Sequence, residues 1–387
     1  MAFLMPSASI VQAQGTPPPE SAAPETTASY TFGQALDFTL SVINTPTLAN
    51  ATLHVTTPQF ATTYLVDFPI TADPGATIQL QHTINLTEVY IQPFTTITYW
   101  WTLVDSDNIS YVLPLQDIAY DDDTFAWKSQ SEAGIDMYWI ADGQDLGQVG
   151  MDVVTESLPR ILSLIPADMS GGIRIYLYPS AEEFQAALRL TRQDWAGGHA
   201  SPKLGVIMLP AENPRTAVVD LRRSIPHELS HLVLYRATAD NYDNVPRWFD
   251  EGLATLFETV PNPNYAITLE SLLANNELIP FNQLCTQFPS DSSDAALRAY
   301  AQSNSLMQYI QDTYGNTKIQ EMITALADGA NCETVTTRVL GRTVEQLTAD
   351  WLGTVQPDNG FNFDTSYLWI IIIVAGFILT GLLLFRS

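Results

Sequence analysis

The sequence predicts a multidomain chain: an all-β sandwich of immunoglobulin or fibronectin type, then an α+β domain, then one C-terminal transmembrane helix. Three observations carry that expectation. From residue 29 to 130 the chain is Thr-rich, and Phe32, Leu36, Phe38, Leu40 and Val42 recur at even spacing, the period of a strand with one buried face. From 131 to 355 short strand-like runs give way to helical periodicity. Further on, Leu368 to Phe385 is apolar and uncharged.

Each element has its own warrant. Residues 1–28 read as a signal-peptide remnant, with Val11-Gln12-Ala13 resembling a small-residue cleavage site, followed by a Pro-rich linker. Residues 29–130 hold about seven short strands, among them Ile97–Val104 and Ile109–Leu113 around the hairpin signal Asp105-Ser106-Asp107-Asn108. His54 and His82 lie there and are expected to be structural or exposed. In residues 131–355, Ile173–Tyr178 and Val206–Leu209 read as strands, and Ser180 with Glu183 forms a capping box. Beyond Glu251 the chain is expected to be mostly helical through Trp351. Residues 356–366 read as a juxtamembrane linker and 367–385 as a membrane helix, since the run from Leu368 spans about 27 Å at 1.5 Å per residue. Arg386 is the only charge beyond that run. It orients the chain as a single-pass protein of the cell membrane, with its body extracytoplasmic and its C-terminus cytoplasmic.

The net charge of −26, from 42 acidic against 16 basic residues, gives a surface that repels nucleic acid. A single span and the lack of internal periodicity exclude a transporter or a repeat array. Cys285 and Cys332 are the only cysteines. One disulfide tying the C-terminal helices together is expected, the alternative being two separate buried thiols.

The densest chemistry lies at His227-Glu228-Leu229-Ser230-His231, followed by Glu251 twenty positions after His231. Residues four apart share a helix face, so the two imidazoles can reach one ion, with Glu251 supplying a carboxylate from a second helix. Three protein ligands leave a fourth position for water, the pattern of a catalytic rather than a structural zinc site. Glu228, about 100° around the helix, addresses that position. Pro226 is expected near the first turn of this helix, which runs to about Ala237. Asp240–Asn244 reads as a loop, and a second helix runs from Pro246 to Glu258. Asp250 and Glu258 are expected to be solvated helix carboxylates, with contact to a ligand His as the alternative.

The motif His227–His231, taken with Val245-Pro246-Arg247-Trp248-Phe249-Asp250-Glu251-Gly252-Leu253-Ala254, resembles the peptidase MA-like gluzincins, which include the thermolysin and aminopeptidase N families. The resemblance covers roughly residues 133–355 and implies a zincin-like metallopeptidase domain. It implies one Zn2+ per chain held by His227, His231 and Glu251, with Glu228 as general base. Tyr300, in Arg298–Ser303, resembles the segment that supplies an oxyanion-stabilising Tyr. Gly197, Gly198 and His199, just before a strand, would line the substrate cleft. The expected function is that of a membrane-tethered, extracytoplasmic zinc metallopeptidase acting on a peptide or protein substrate. The alternative is an inert zincin-like surface protein that binds or adheres through its sandwich. Endopeptidase or aminopeptidase action and the oligomeric state are not legible.

Overall fold

The computed structural model describes residues 23–60, 62–89, 91–140, 146–189, 197–212, 216–289 and 292–355. The N-terminal region forms two antiparallel sheets. One has the order β1-β2-β5, from β1 (Glu25–Thr31), β2 (Ala35–Ile43) and β5 (Thr77–Asn85). The other has the order β4-β3-β6-β7, from β3 (Leu48–Thr56), β4 (Tyr64–Pro69), β6 (Thr95–Asp105) and β7 (Ser110–Val112), with β8 (Gln116–Tyr120) also paired to β6. Strict alternation in β2 buries Leu36, Phe38, Leu40 and Val42, and β6 buries Ile97, Tyr99, Trp101 and Leu103. These residues belong to one core drawn from both sheets.

The expected hairpin lies between β6 and β7. Asp105 Oδ1 accepts the Asp107 and Ile109 backbone N–H groups at 3.0 and 2.8 Å, and Asn108 takes a positive φ of 63°. Glu25–Ala28, expected to be linker, form the first half of β1 and pair with Phe38–Ser41.

The second body is a mixed sheet of order β12-β13-β11-β10-β9, with helices on it. Its strands are β9 (Lys128–Glu132), β10 (Ile135–Trp139), β11 (Ile173–Tyr178), β12 (His199–Ser201) and β13 (Val206–Pro210). The strands β10, β11 and β13 run parallel, and β9 and β12 close the edges antiparallel. The two-residue period separates two cores. Met137, Ile175, Leu177, Ile207 and Leu209 join α1 (Leu146–Leu164) and α3 (Ala217–Thr238) in the main core. Tyr176, Tyr178, Val206 and Met208 face the other way, toward Phe184 of α2 (Ala181–Arg189).

That second face is also where the β domain docks. Phe94, fully buried with a φ of 60°, stacks on Tyr176 at 3.5 Å between ring centroids. Arg174 Nη2 donates to its carbonyl at 2.9 Å. Further helices complete the body: α4 (Arg247–Phe257), α5 (Asn264–Asn275), α6 (Ser293–Tyr314), α7 (Asn316–Ala327), α8 (Cys332–Leu340) and α9 (Val344–Val355).

Two expectations are corrected. Among the described residues no helix is long and apolar enough to cross a membrane. The longest of them, α3 and α6, have 22 residues each and carry charges such as Asp220, Arg223, Asp294 and Arg298, which a bilayer core would penalise. Among the described residues the fold is therefore antiparallel sheets followed by a mixed-sheet body with helices, and the expected transmembrane helix is not among them. The single-pass cell-membrane localisation falls with it. The run Leu368–Phe385 and the signal-peptide remnant in residues 1–22 lie outside the described residues.

Cys285 and Cys332 are joined in a disulfide with a Cα–Cα distance of 5.7 Å. Its effect reaches α4, whose N-terminus has no side-chain cap. The carbonyls of Cys285 and Leu284 instead accept the Arg247 and Trp248 N–H groups at 3.1 and 3.0 Å. With a separation of 47 residues, the chain-entropy relation gives about 4 kcal/mol for this crosslink. The paired variant Cys285→Ser/Cys332→Ser should lose up to that amount in urea unfolding. A loss below about 1 kcal/mol would show that α4 is held without the crosslink.

Candidate metal centre

The centre is built on α3, where Pro226 sits in the helix interior rather than near its first turn. Proline has no N–H to give the carbonyl four residues back. That carbonyl belongs to Arg222, and it accepts the backbone N–H of Thr259 at 3.0 Å instead. The residue that interrupts the helical ladder thus ties α3 to the segment just after α4. Pro226 directly precedes His227, and the tie at Arg222 holds Glu258, the neighbour of Thr259, beside that imidazole.

His227, His231 and Glu251 converge, with one ligand atom from each lying within 4.8 Å of the others. Glu251 Oε2 is 3.4 Å from His227 Nε2 and 3.5 Å from His231 Nε2. It is buried and has no hydrogen-bond partner. Tetrahedral zinc with bonds of about 2.0–2.1 Å separates its ligand atoms by about 3.4 Å. The unpartnered oxygen and the spacing therefore fit a divalent ion among these three atoms.

The opposite ring nitrogens are held by carboxylates. His227 Nδ1 meets Glu258 Oε1 at 3.1 Å, and His231 Nδ1 meets Asp250 Oδ1 at 2.6 Å. An Nδ1–H donated to each carboxylate leaves Nε2 with its lone pair toward the ion position. Asp250 and Glu258 are thus buried and engaged, not solvated. They are held in turn: Tyr242 and Tyr265 donate their hydroxyls to Asp250 Oδ2 and Glu258 Oε1 at 2.8 and 2.9 Å. Those two tyrosines carry no recognisable sequence signal, because the carboxylates they serve resemble ordinary helix-surface residues.

The electrostatics point to a cation. Burial alone would depress both imidazoles, but the carboxylates prevail: Glu251 and Glu258 raise His227 to about 9, and Asp250 with Glu251 raises His231 well above its ordinary value. Burial opposes ionisation of Glu251, yet the two histidines bring its pKa well below the usual carboxylate range. Burial raises Glu228, the property wanted in a group that must take up a proton.

Two lobes of a cleft, about 510 and 770 Å³, meet at this centre and share Gly198, His227, Glu228 and Tyr300. The Tyr300 ring lies 5.8 Å from that of His227 and 4.8 Å from that of Phe288. Burial, then the charges of Glu251 and Glu228, raise its hydroxyl well above the ordinary tyrosine value, so it stays a donor. Gly198 lies against Glu228: a Cβ there would come within 2.5 Å of its Oε1. Gly197 lines the smaller lobe and faces open space, so no close approach requires glycine there. His199 lines the larger lobe from β12, and burial followed by the charge of His231 lowers its pKa to about 4. The Cys285–Cys332 bridge supplies no cleft-lining group of its own.

Gly252 explains why α4 can bring Glu251 this close. A Cβ at that position would lie 2.6 Å from the Ser303 carbonyl, so α4 and α6 touch backbone to backbone.

A sequence profile of the peptidase MA superfamily matches residues 153–357, just over half of the chain. The chain belongs to that superfamily, which makes it an enzyme of peptidase type. The His227, His231 and Glu251 cluster, able to hold a metal ion, fits that membership. Comparison with curated proteins finds no match. Among solved structures it is similar to a polysaccharide deacetylase from Bacillus cereus at 7% identity and a TM-score of 0.23, covering 43% of this chain and 66% of that one. A calcium-binding mutant of Bacteroides uniformis beta-glucuronidase 2 gives 11% identity and a TM-score of 0.18, covering 62% of this chain and 32% of that one. Such scores define no shared fold.

Gly198→Ala tests the contact with Glu228. The methyl group meets Glu228 Oε1 and, at 2.8 Å, Cδ2 of the buried Leu209, so Glu228 should move and the core beneath β13 should give slightly. We expect a folded protein with a slightly lowered melting temperature and turnover reduced about tenfold or more. Full turnover would show that Glu228 has room to spare.

Proposed function

We propose that this chain is a zinc-dependent peptidase that hydrolyses peptide bonds with Glu228 as general base. The observation that carries the reading is the unpartnered Glu251 Oε2 set at ligand spacing from both Nε2 atoms, with Glu228 beside them. His227, His231 and Glu251 would hold the ion. When bound, zinc polarises the scissile carbonyl and brings the pKa of water toward neutrality.

The rest falls to the chain's own residues. Glu228, raised by burial, takes the proton of the attacking water and returns it to the departing amine. Tyr300 keeps its proton and donates a hydrogen bond to the oxyanion. Asp250 and Glu258 hold the imidazoles in the tautomer that turns Nε2 toward the ion. The lobes on either side of Glu228 and Tyr300 can take substrate residues on both sides of the cleaved bond, which supports cleavage within a chain.

Glu228→Gln should retain zinc and lose hydrolysis by about 10²–10⁴-fold, read by mass spectrometry of a peptide mixture. Tyr300→Phe should lower kcat by about 10²-fold with KM little changed. If Glu228→Gln cleaves as well as the parent protein, the base lies elsewhere. Internal fragments as first products support endopeptidase action; stepwise loss of terminal residues would contradict it.

A further inference from the structure

The two-sheet N-terminal domain reaches the cleft through Gln92. This residue, buried in the turn before β6, places its Nε2 3.2 Å from Nε2 of His199 on the edge strand β12. The two residues are 107 positions apart in sequence.

The roles in this contact follow from a backbone group that can only donate. The Gln92 backbone N–H donates to Gln59 Oε1 at 3.0 Å. With its oxygen so assigned, Gln59 must present its Nε2, which donates to Gln92 Oε1 at 2.7 Å. Gln92 therefore has its own Nε2 left for His199, and an amide NH2 cannot accept. His199 Nε2 is the acceptor. The Ser201 hydroxyl lies 3.1 Å from the same nitrogen and, as a donor too, shares its single lone pair with Gln92. A neutral imidazole whose Nε2 accepts carries its proton on Nδ1.

We propose that the N-terminal domain is a working part of the active site, in which the Gln59–Gln92 relay locks His199 as the Nδ1–H tautomer and gives the cleft wall a neutral hydrogen-bond donor. Its target is a backbone carbonyl of a peptide laid along β12, and that part rests on the peptidase reading above. Gln92 is a positioning residue, acting only through His199. The docking of Phe94 on Tyr176 two residues later holds the relay in place.

The test uses the full chain labelled with ¹⁵N-histidine, with His199→Asn to assign the His199 signals. Long-range ¹H–¹⁵N correlation reports which ring nitrogen bears the proton. The expected result is a protonated Nδ1 and a bare Nε2. Gln92→Glu replaces the donor with an acceptor of the same shape, and the proton should move to Nε2. In the active enzyme the same variant should raise KM about tenfold with a smaller change in kcat.

A wild-type His199 protonated on Nε2 overturns the proposal, and needs no variant to fold. So does an unchanged tautomer in folded Gln92→Glu protein. Absence of hydrolysis by the wild type would count against the peptidase reading alone and leave the tautomer result standing.

Discussion

The whole site depends on the contact between α3 and α4, which sets two imidazoles against three carboxylates in a buried space. His227 and His231 come from one helix; Asp250, Glu251 and Glu258 come from the other and its end. Burying that much negative charge is costly unless it is paired. Two histidines offset part of it, and an unpartnered oxygen remains at ligand distance from both. The contact is fixed by backbone devices: Pro226 frees the Arg222 carbonyl for Thr259, and Gly252 lets α4 approach the backbone of α6.

Around this contact the rest of the chain has positional work. The mixed sheet carries β12 at its edge, so that Gly198 abuts Glu228 and His199 faces the larger lobe. The disulfide holds the segment whose carbonyls cap α4. The aromatic face of the sheet, with Phe94 and Tyr176 stacked, seats the N-terminal domain close enough for Gln92 to reach the cleft.

What is legible in the sequence is what depends on short-range periodicity. Two histidines four apart on a helix, a Glu one helix later and the strands Ile173–Tyr178 and Val206–Leu209 all follow from local pattern. So does the start of α2, where Ser180 accepts the Glu183 N–H at 3.1 Å, although Glu183 takes the Ser180 hydroxyl, so that only half of the expected capping box is seen. What stays hidden depends on distant partners. Pro226 reads as a helix start because its compensating donor, Thr259, is not local. Asp250 and Glu258 read as solvated because their burial is set by α3, Tyr242 and Tyr265. Gln92 gives no signal, since its partner is on another domain. The membrane-helix expectation rests on hydropathy alone, in a run outside the described residues.

We propose that His227 Nε2, His231 Nε2 and Glu251 Oε2 hold one zinc ion. Anomalous diffraction at the zinc edge from crystals of the zinc-loaded protein tests it most directly. One strong peak per chain is expected, about 2 Å from all three atoms. A peak elsewhere, or none at this position with zinc in excess, would contradict it.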